Sequence, residues 1–243
     1  MTTYVAGVDG CRAGWVVALH LVHRPDQCRI LHVPQFADIL ALPEAPRAIA
    51  VDIPIGLPDQ TGRGGRDADV GARAVLGGRQ SAVFAVPSRA AVMCEEYRAA
   101  CDLALQTSDP PRKVSKQAFN IFPKIREVDR VMTPELQDRV REVHPELAFW
   151  ALNGQQPLAT PKKIKSKPNP DGLAQRRSLL AAAGYDPDFL TLKHLPARIA
   201  GPDDVLDATV NAWTATRLLT GRAIRFPSEP QRDARGLRIE IWG

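Results

Sequence analysis

Cysteine is sparse in this chain: four in 243 residues, Cys11, Cys28, Cys94 and Cys101, no two of them in a C-x-x-C spacing. That spacing excludes a zinc ribbon. Four cysteines over this length do not make a disulfide scaffold either, so free thiols in a reducing cytoplasm are expected. Aromatic residues make up only 6% of the chain, which argues against an extended base-stacking platform. No apolar run is long enough to span a bilayer, because charged residues or prolines interrupt every one, and no membrane association is expected. The opening Met1-Thr2-Thr3-Tyr4 carries no basic segment, so no signal peptide is read. Gly62-Arg63-Gly64-Gly65-Arg66 lacks the terminal Lys-Ser/Thr of a phosphate-binding P-loop. There is no internal repeat and no clear linker.

What is present suits a single domain spanning residues 1–243: 44% of residues are hydrophobic and 24% charged. The net charge is +5, compatible with a polyanionic partner. Apolar runs at Tyr4–Val8, Trp15–His20 and Arg29–Val33 read as three strands, the first two joined by a short glycine-containing turn and so antiparallel. A short helix over Phe36–Leu42 follows, then a fourth strand at Ala48–Asp52. Helices are expected over Asp67–Leu76 and Ala90–Gln106, and a fifth strand over Arg139–His144. Residues 153–172, rich in Gly, Pro and Lys, read as a mobile loop. Leu173–Ala183 and a run from Pro202 to Leu219 read as the closing helices. An antiparallel meander continued by parallel βα units gives a mixed sheet with helices on both faces, and an insert at about 59–137 between the fourth and fifth strands.

Acidic residues fall at chosen places in that order. Asp9 ends the first strand and Asp52 the fourth, and ligands of α/β sheets bind at the carboxyl ends of strands. If the two strands are parallel neighbours, their carboxylates lie a few Å apart. Asp204 and Asp207, three residues apart, share one helix face. Glu142 and Glu146 flank His144-Pro145 after the fifth strand. Grouped carboxylates repel one another unless cations bind between them, and hard cations with oxygen ligands are Mg²⁺ or Mn²⁺. Two such ions can activate water and stabilise a leaving oxygen in phosphodiester cleavage. Each acid has a second reading: Asp9 as a turn former before Gly10, Asp52 as a strand end before proline, Asp203 or Asp204 as a helix N-cap, and Glu142, Glu146 and Asp207 as solvated charge.

The segments Gly7–Trp15, Asp52–Pro58, Ser81–Phe84, Lys124–Asp129, Glu142–Glu146, Asp203–Ala208 and Asp233–Leu237 resemble the domain of unknown function 429 family. The resemblance runs over nearly the whole chain. The family is generally described as predicted ribonuclease H-like nucleases, so the resemblance implies a ribonuclease H-like α/β fold. Asp9 and Asp52 resemble that superfamily's first-strand and fourth-strand acids, and Asp204 and Asp207 the helix-borne pair of Holliday-junction resolvases. The long basic insert departs from the better-known members, so substrate choice is not carried over.

On this reading the chain is a metal-dependent nuclease. Asp9, Asp52, Asp204 and Asp207 bind Mg²⁺ or Mn²⁺, and Glu146 is a further catalytic acid. Arg63, Arg66, Lys162 and Lys163 hold a nucleic-acid backbone through phosphate contacts. The alternatives are a small-molecule nucleotide or phosphate-ester enzyme on the same fold, or a non-catalytic nucleic-acid-binding module.

Overall fold

The computed structural model describes residues 2–165 and 167–243. The chain divides into two compact units. The first contains residues 1–52, 139–224 and 242–243, and the second residues 53–138 and 225–241.

The first unit opens with β1 (Tyr4–Cys11), β2 (Gly14–Leu21) and β3 (Arg24–Val33), an antiparallel meander. Then come α1 (Phe36–Leu40) and β4 (Ala48–Val51). In the second unit follow α2 (Asp67–Val75), α3 (Arg89–Val92), α4 (Tyr97–Gln106), α5 (Lys116–Phe119) and α6 (Phe122–Val131). The chain re-enters the first unit at β5 (Val140–Glu142) and α7 (Pro145–Leu152). There it forms the small antiparallel hairpin β6 (Lys163–Ile164) and β7 (Lys167–Pro168), then α8 (Pro170–Ala182), α9 (Pro187–Thr191) and α10 (Pro202–Leu219).

Five strands form one mixed sheet in the order β3-β2-β1-β4-β5, with β1, β4 and β5 parallel. Period-two alternation decides which side chains share a face. Val5, Gly7, Asp9 and Cys11 point one way from β1, and α10 lies against that face. Gly7 makes the approach possible: a Cβ there would stand 2.0 Å from the Ala212 nitrogen and 2.1 Å from the Ala208 carbonyl oxygen. Val16, Ala18, Ala48 and Ala50 continue the same apolar layer, with Leu206, Ala208, Val210 and Ala212 of α10 and Ala148 and Phe149 of α7 packed into it. On the opposite face Trp15 meets Phe36 of α1 edge-on at 5.4 Å. The architecture is therefore mixed α/β, as the sequence pattern requires.

Three local expectations shift. Residues 90–106 form two helices, because the chain turns between Val92 and Tyr97. The stretch 153–172 is structured rather than a free loop. Pro161 and Lys162 carbonyls accept hydrogen bonds from the Asn169 side chain (2.8 Å) and backbone (2.8 Å), which closes the hairpin. Asp9 lies inside β1, which runs two residues beyond it, so it is no turn former.

In the second unit, buried ion pairs organise the loops. Arg89 reaches Asp129 (2.7 Å) and Asp233 (2.7 Å), and Arg235 also reaches Asp129 (2.9 Å). Asp233 takes the Leu57 N–H at 3.0 Å. The segments Lys124–Asp129 and Asp233–Leu237 are thus joined through Arg89. Among the described residues, no helix is long and apolar enough to cross a membrane.

Candidate active site

Strand register builds the site. The β1–β4 ladder pairs Val5 with Ala48, Gly7 with Ala50 and Val8 with Val51. The next step sets Asp9 beside Asp52, and the Asp52 N–H donates to the Val8 carbonyl at 3.0 Å. Parallel neighbours lie about 4.8 Å apart, and both aspartates share the face that α10 covers.

The helix supplies the third carboxylate. Asn211 donates to the Val8 carbonyl at 3.1 Å, and Gly7 admits the helix backbone. These two contacts fix α10 against β1 next to Asp9, and Asp207 lies one turn earlier on the same helix. Asp207 is 2% exposed, and its Oδ1 is buried with no hydrogen-bond partner among the described residues. Asp204 is half-buried and accepts the Gly201 N–H at 2.8 Å from the third helical position. Gly201 is the N-cap, so neither Asp203 nor Asp204 is.

These acids feel one another. Burial pushes the Asp9 carboxyl well above the ordinary carboxylate range, and repulsion from Asp207, Asp52 and Asp204 adds to it. Burial and repulsion from Asp207 push Asp52 up to about 7. Asp207 and Asp204 are also raised, in both cases first by burial.

Lys162 stands where those charges converge. Its ammonium is ion-paired with Asp207. Burial disfavours its charge, but attraction from Asp207 and Asp9 outweighs that, so its pKa is held above its ordinary value. Lys163 pairs with Asp203 at 2.6 Å. Both lysines, expected to hold phosphates, turn toward acids of α10 instead. They pair there because the hairpin lies against α10, a placement that lysine spacing alone does not reveal.

Glu146 is 4% exposed and ion-paired with Arg176, which is fully buried. Arg176 also donates to the Gly172 (2.9 Å) and Thr160 (3.1 Å) carbonyls and lies over the Phe149 ring. Glu146 is near enough to raise the Asp207 pKa, and its carboxylate also ties α7 to α8 through Arg176. His144 caps α7, its Nδ1 accepting the Glu146 N–H at 3.2 Å. Arg63 is exposed on the second unit. Arg66 is 3% exposed, paired with Asp69 at 2.7 Å and bonded to the Ile55 and Gly56 carbonyls. It braces its loop and offers no open phosphate site.

Sequence reasoning thus finds the aspartates and names Lys162 as a phosphate contact, without its pairing to Asp207, and misses Asn211, Gly7 and Arg176. Gly7 and Asn211 carried a legible signal, a small residue and an amide amid apolar neighbours.

The donors suit a hard dication chemically: carboxylate oxygens from three separate elements, one of them orphaned. Among the described residues, however, no group of three or more His, Cys, Asp or Glu is placed to hold a metal ion. Lys162 offsets part of that charge here.

The chain belongs to the family described as Protein of unknown function (DUF429), whose model matches residues 7–232. No curated protein and no solved structure matches it.

Proposed function

We propose that the first unit is a ribonuclease H-like domain and that the chain is a metal-dependent nuclease acting at Asp9, Asp52 and Asp207. The observation that carries this reading is the convergence of three carboxylates from β1, the end of β4 and α10, each disfavoured in its charged form by its neighbours and by burial. A fold keeps such repulsion only where something offsets it, and these acids are the ones the family resemblance assigns to metal binding.

Asp9, Asp52 and Asp207 would hold Mg²⁺ or Mn²⁺, with Asp204 at the edge of the site. A dication bound there supplies a Lewis acid and lowers the pKa of a coordinated water. The chain's own residues do the rest. Asp9 and Asp52 are fixed by strand register. Asn211 and Gly7 set the depth of Asp207. The Glu146–Arg176 pair keeps α7 and α8 in place beside it. Lys162 offsets part of the acids' charge while no dication does, and must withdraw from Asp207 to admit one. Arg63, Lys165 and Lys167 are exposed cations, open to a phosphate backbone. A cytoplasmic setting belongs to the same proposal and accords with four free cysteines.

The test is turnover with Mg²⁺, Mn²⁺ or EDTA on single-stranded DNA, duplex DNA, RNA, RNA–DNA hybrid and mononucleotide esters. Metal-dependent cleavage of a polymer, abolished in Asp9→Asn, is the expected result. Cleavage of mononucleotide esters alone would make it a small-molecule enzyme, and binding without turnover a non-catalytic module.

A further inference from the structure

The second unit carries a cleft that the acidic site does not use. Its cavity volume is about 160 Å³, and it opens to solvent. Loop 61–65 forms one side, and residues 84–87, α4 and segment 108–118 form the others. Phe84, Pro87, Ala104 and Ala118 give it an apolar lining.

Three observations give the cleft a chemistry. Arg112 and Lys113 line it, are exposed and, among the described residues, make no ion pair. Arg73 stands close by: burial lowers its pKa, and repulsion from Arg112 adds to that against attraction from Asp69. Asp69 cannot serve those exposed cations, because it is fully buried and held by Arg66. Arg112 and Lys113 therefore bring positive charge to the cleft that no ion pair among the described residues offsets. Thr61 is 8% exposed and lines the cleft. Finally, Gly62 has neither a positive φ nor any atom within 4 Å of where its Cβ would be. Backbone and packing both permit a side chain there, and the glycine leaves the cleft open. Gly65 contrasts with it: its φ is +95°, and a Cβ would stand 2.6 Å from an Asp69 carboxylate oxygen.

We infer that this cleft binds a nucleotide, its phosphate on Arg112 and Lys113 and its planar base against Phe84 and the small-residue lining. A ring stacked on an aromatic and apolar surface gains contact without needing a polar pocket around it. The Thr61 hydroxyl reads a polar edge of the base. Guanidinium and ammonium donors take phosphate oxygens as charge-assisted hydrogen bonds. The inference is independent of the acidic cluster, since it needs no metal and none of those aspartates.

The test is titration calorimetry on the full chain in EDTA, with 5′-AMP and 5′-UMP as probes and adenosine, uridine and inorganic phosphate as controls. Both nucleotides bind, and each half-ligand binds at least about tenfold more weakly, since each lacks either the phosphate or the base. Gly62→Leu, which adds a bulky side chain at the cleft's lining, and Arg112→Ser/Lys113→Ser, which alters only exposed side chains, each lower nucleotide affinity at least about tenfold, with melting temperature unchanged. A 5′-phosphorylated trinucleotide that displaces AMP identifies a strand end as the source, and one that does not identifies the free nucleotide. No nucleotide binding at millimolar concentration, or affinity undiminished in both variants, overturns the inference. Because EDTA is present throughout, these outcomes do not depend on whether the acidic site proves active.

Discussion

At Lys162 a cation carried by the chain meets acids that a dication would also neutralise, so the two compete for one place. Lys162→Met removes the internal cation. In EDTA the variant is expected to lose about 1–3 kcal/mol, because Asp207 keeps a buried carboxylate without its charged partner. Mn²⁺ should bind it roughly tenfold more tightly than the wild type, a difference of about 1.4 kcal/mol. Calorimetric titration with Mn²⁺ decides this, and equal affinities would show that Lys162 and metal do not compete. The acids also predict a pH dependence. Asp52 has its ordinary value near 3.8 in the unfolded chain and about 7 when folded. Between those values the folded state holds a proton that the unfolded state has released, so rising pH destabilises the fold. The contribution is full below 3.8 and lost as pH rises through about 7; Asp9 and Asp207 act in the same direction. Melting in EDTA from pH 4 to 8 should show this decline, and Asp52→Asn should flatten it. Parallel curves for the two proteins would exclude Asp52 as a source of the slope.

Among the elements, α10 is the one on which the site depends, and its seat on β1 rests on Gly7 and Asn211. Gly7→Ala inserts a Cβ 2.0 Å from the Ala212 nitrogen. Backbone cannot yield as a flexible side chain does, so the cost should reach about 3 kcal/mol, at the upper end of core overpacking. Asn211→Ala leaves the Val8 carbonyl without that donor and should cost about 1–3 kcal/mol. Denaturant unfolding measures both losses. If the helix also positions Asp207, any metal-dependent turnover should fall further than the loss of folded protein explains. A Gly7→Ala protein of wild-type stability would mean that α10 does not lie as close to β1 as described. Arg176 and Glu146 form the other hinge of this arrangement, and Arg176→Met, which strands a buried carboxylate, should cost about 3–5 kcal/mol.

Over the whole molecule the count of 32 Lys and Arg residues overstates how many cations are free to meet a polyanion, because several are already paired with carboxylates. Lys162 and Lys163 are ion-paired with Asp207 and Asp203, Lys163 while itself exposed; Arg63, Lys165 and Lys167 are exposed as well. Replacing Lys162 and Lys163 with Ser should leave the salt dependence of polymer binding in EDTA unchanged. Replacing Arg63, Lys165 and Lys167 should reduce the log–log slope by roughly 0.7–0.9 for each phosphate the protein no longer neutralises. Fluorescence anisotropy across a salt series distinguishes the two sets, and a reversed order would restore the lysine pair as the phosphate grip. Mg²⁺ or Mn²⁺, if bound only by the folded chain, should raise its stability by about 2.7 kcal/mol at a hundredfold excess over the dissociation constant. An Asp9→Asn/Asp207→Asn protein should show no such rise.

The order of the five main strands, the mixed α/β class and the family were legible in the sequence, because period-two runs, glycine and proline stops and short motifs are local signals. So were Asp9, Asp52 and Asp207, since an acid inside an otherwise apolar run stands out wherever the chain folds. What only the tertiary structure decided was pairing. Register set Asp9 beside Asp52, and a glycine on β1 let α10 bring Asp207 to them. A hairpin from a lysine-rich stretch sent Lys162 to Asp207 rather than to solvent, while Arg176 and Asp69 engaged Glu146 and Arg66. Charge in a sequence is a property of single residues, but whether it is open to a ligand depends on partners tens of positions away, and those partners meet only when the backbone is packed.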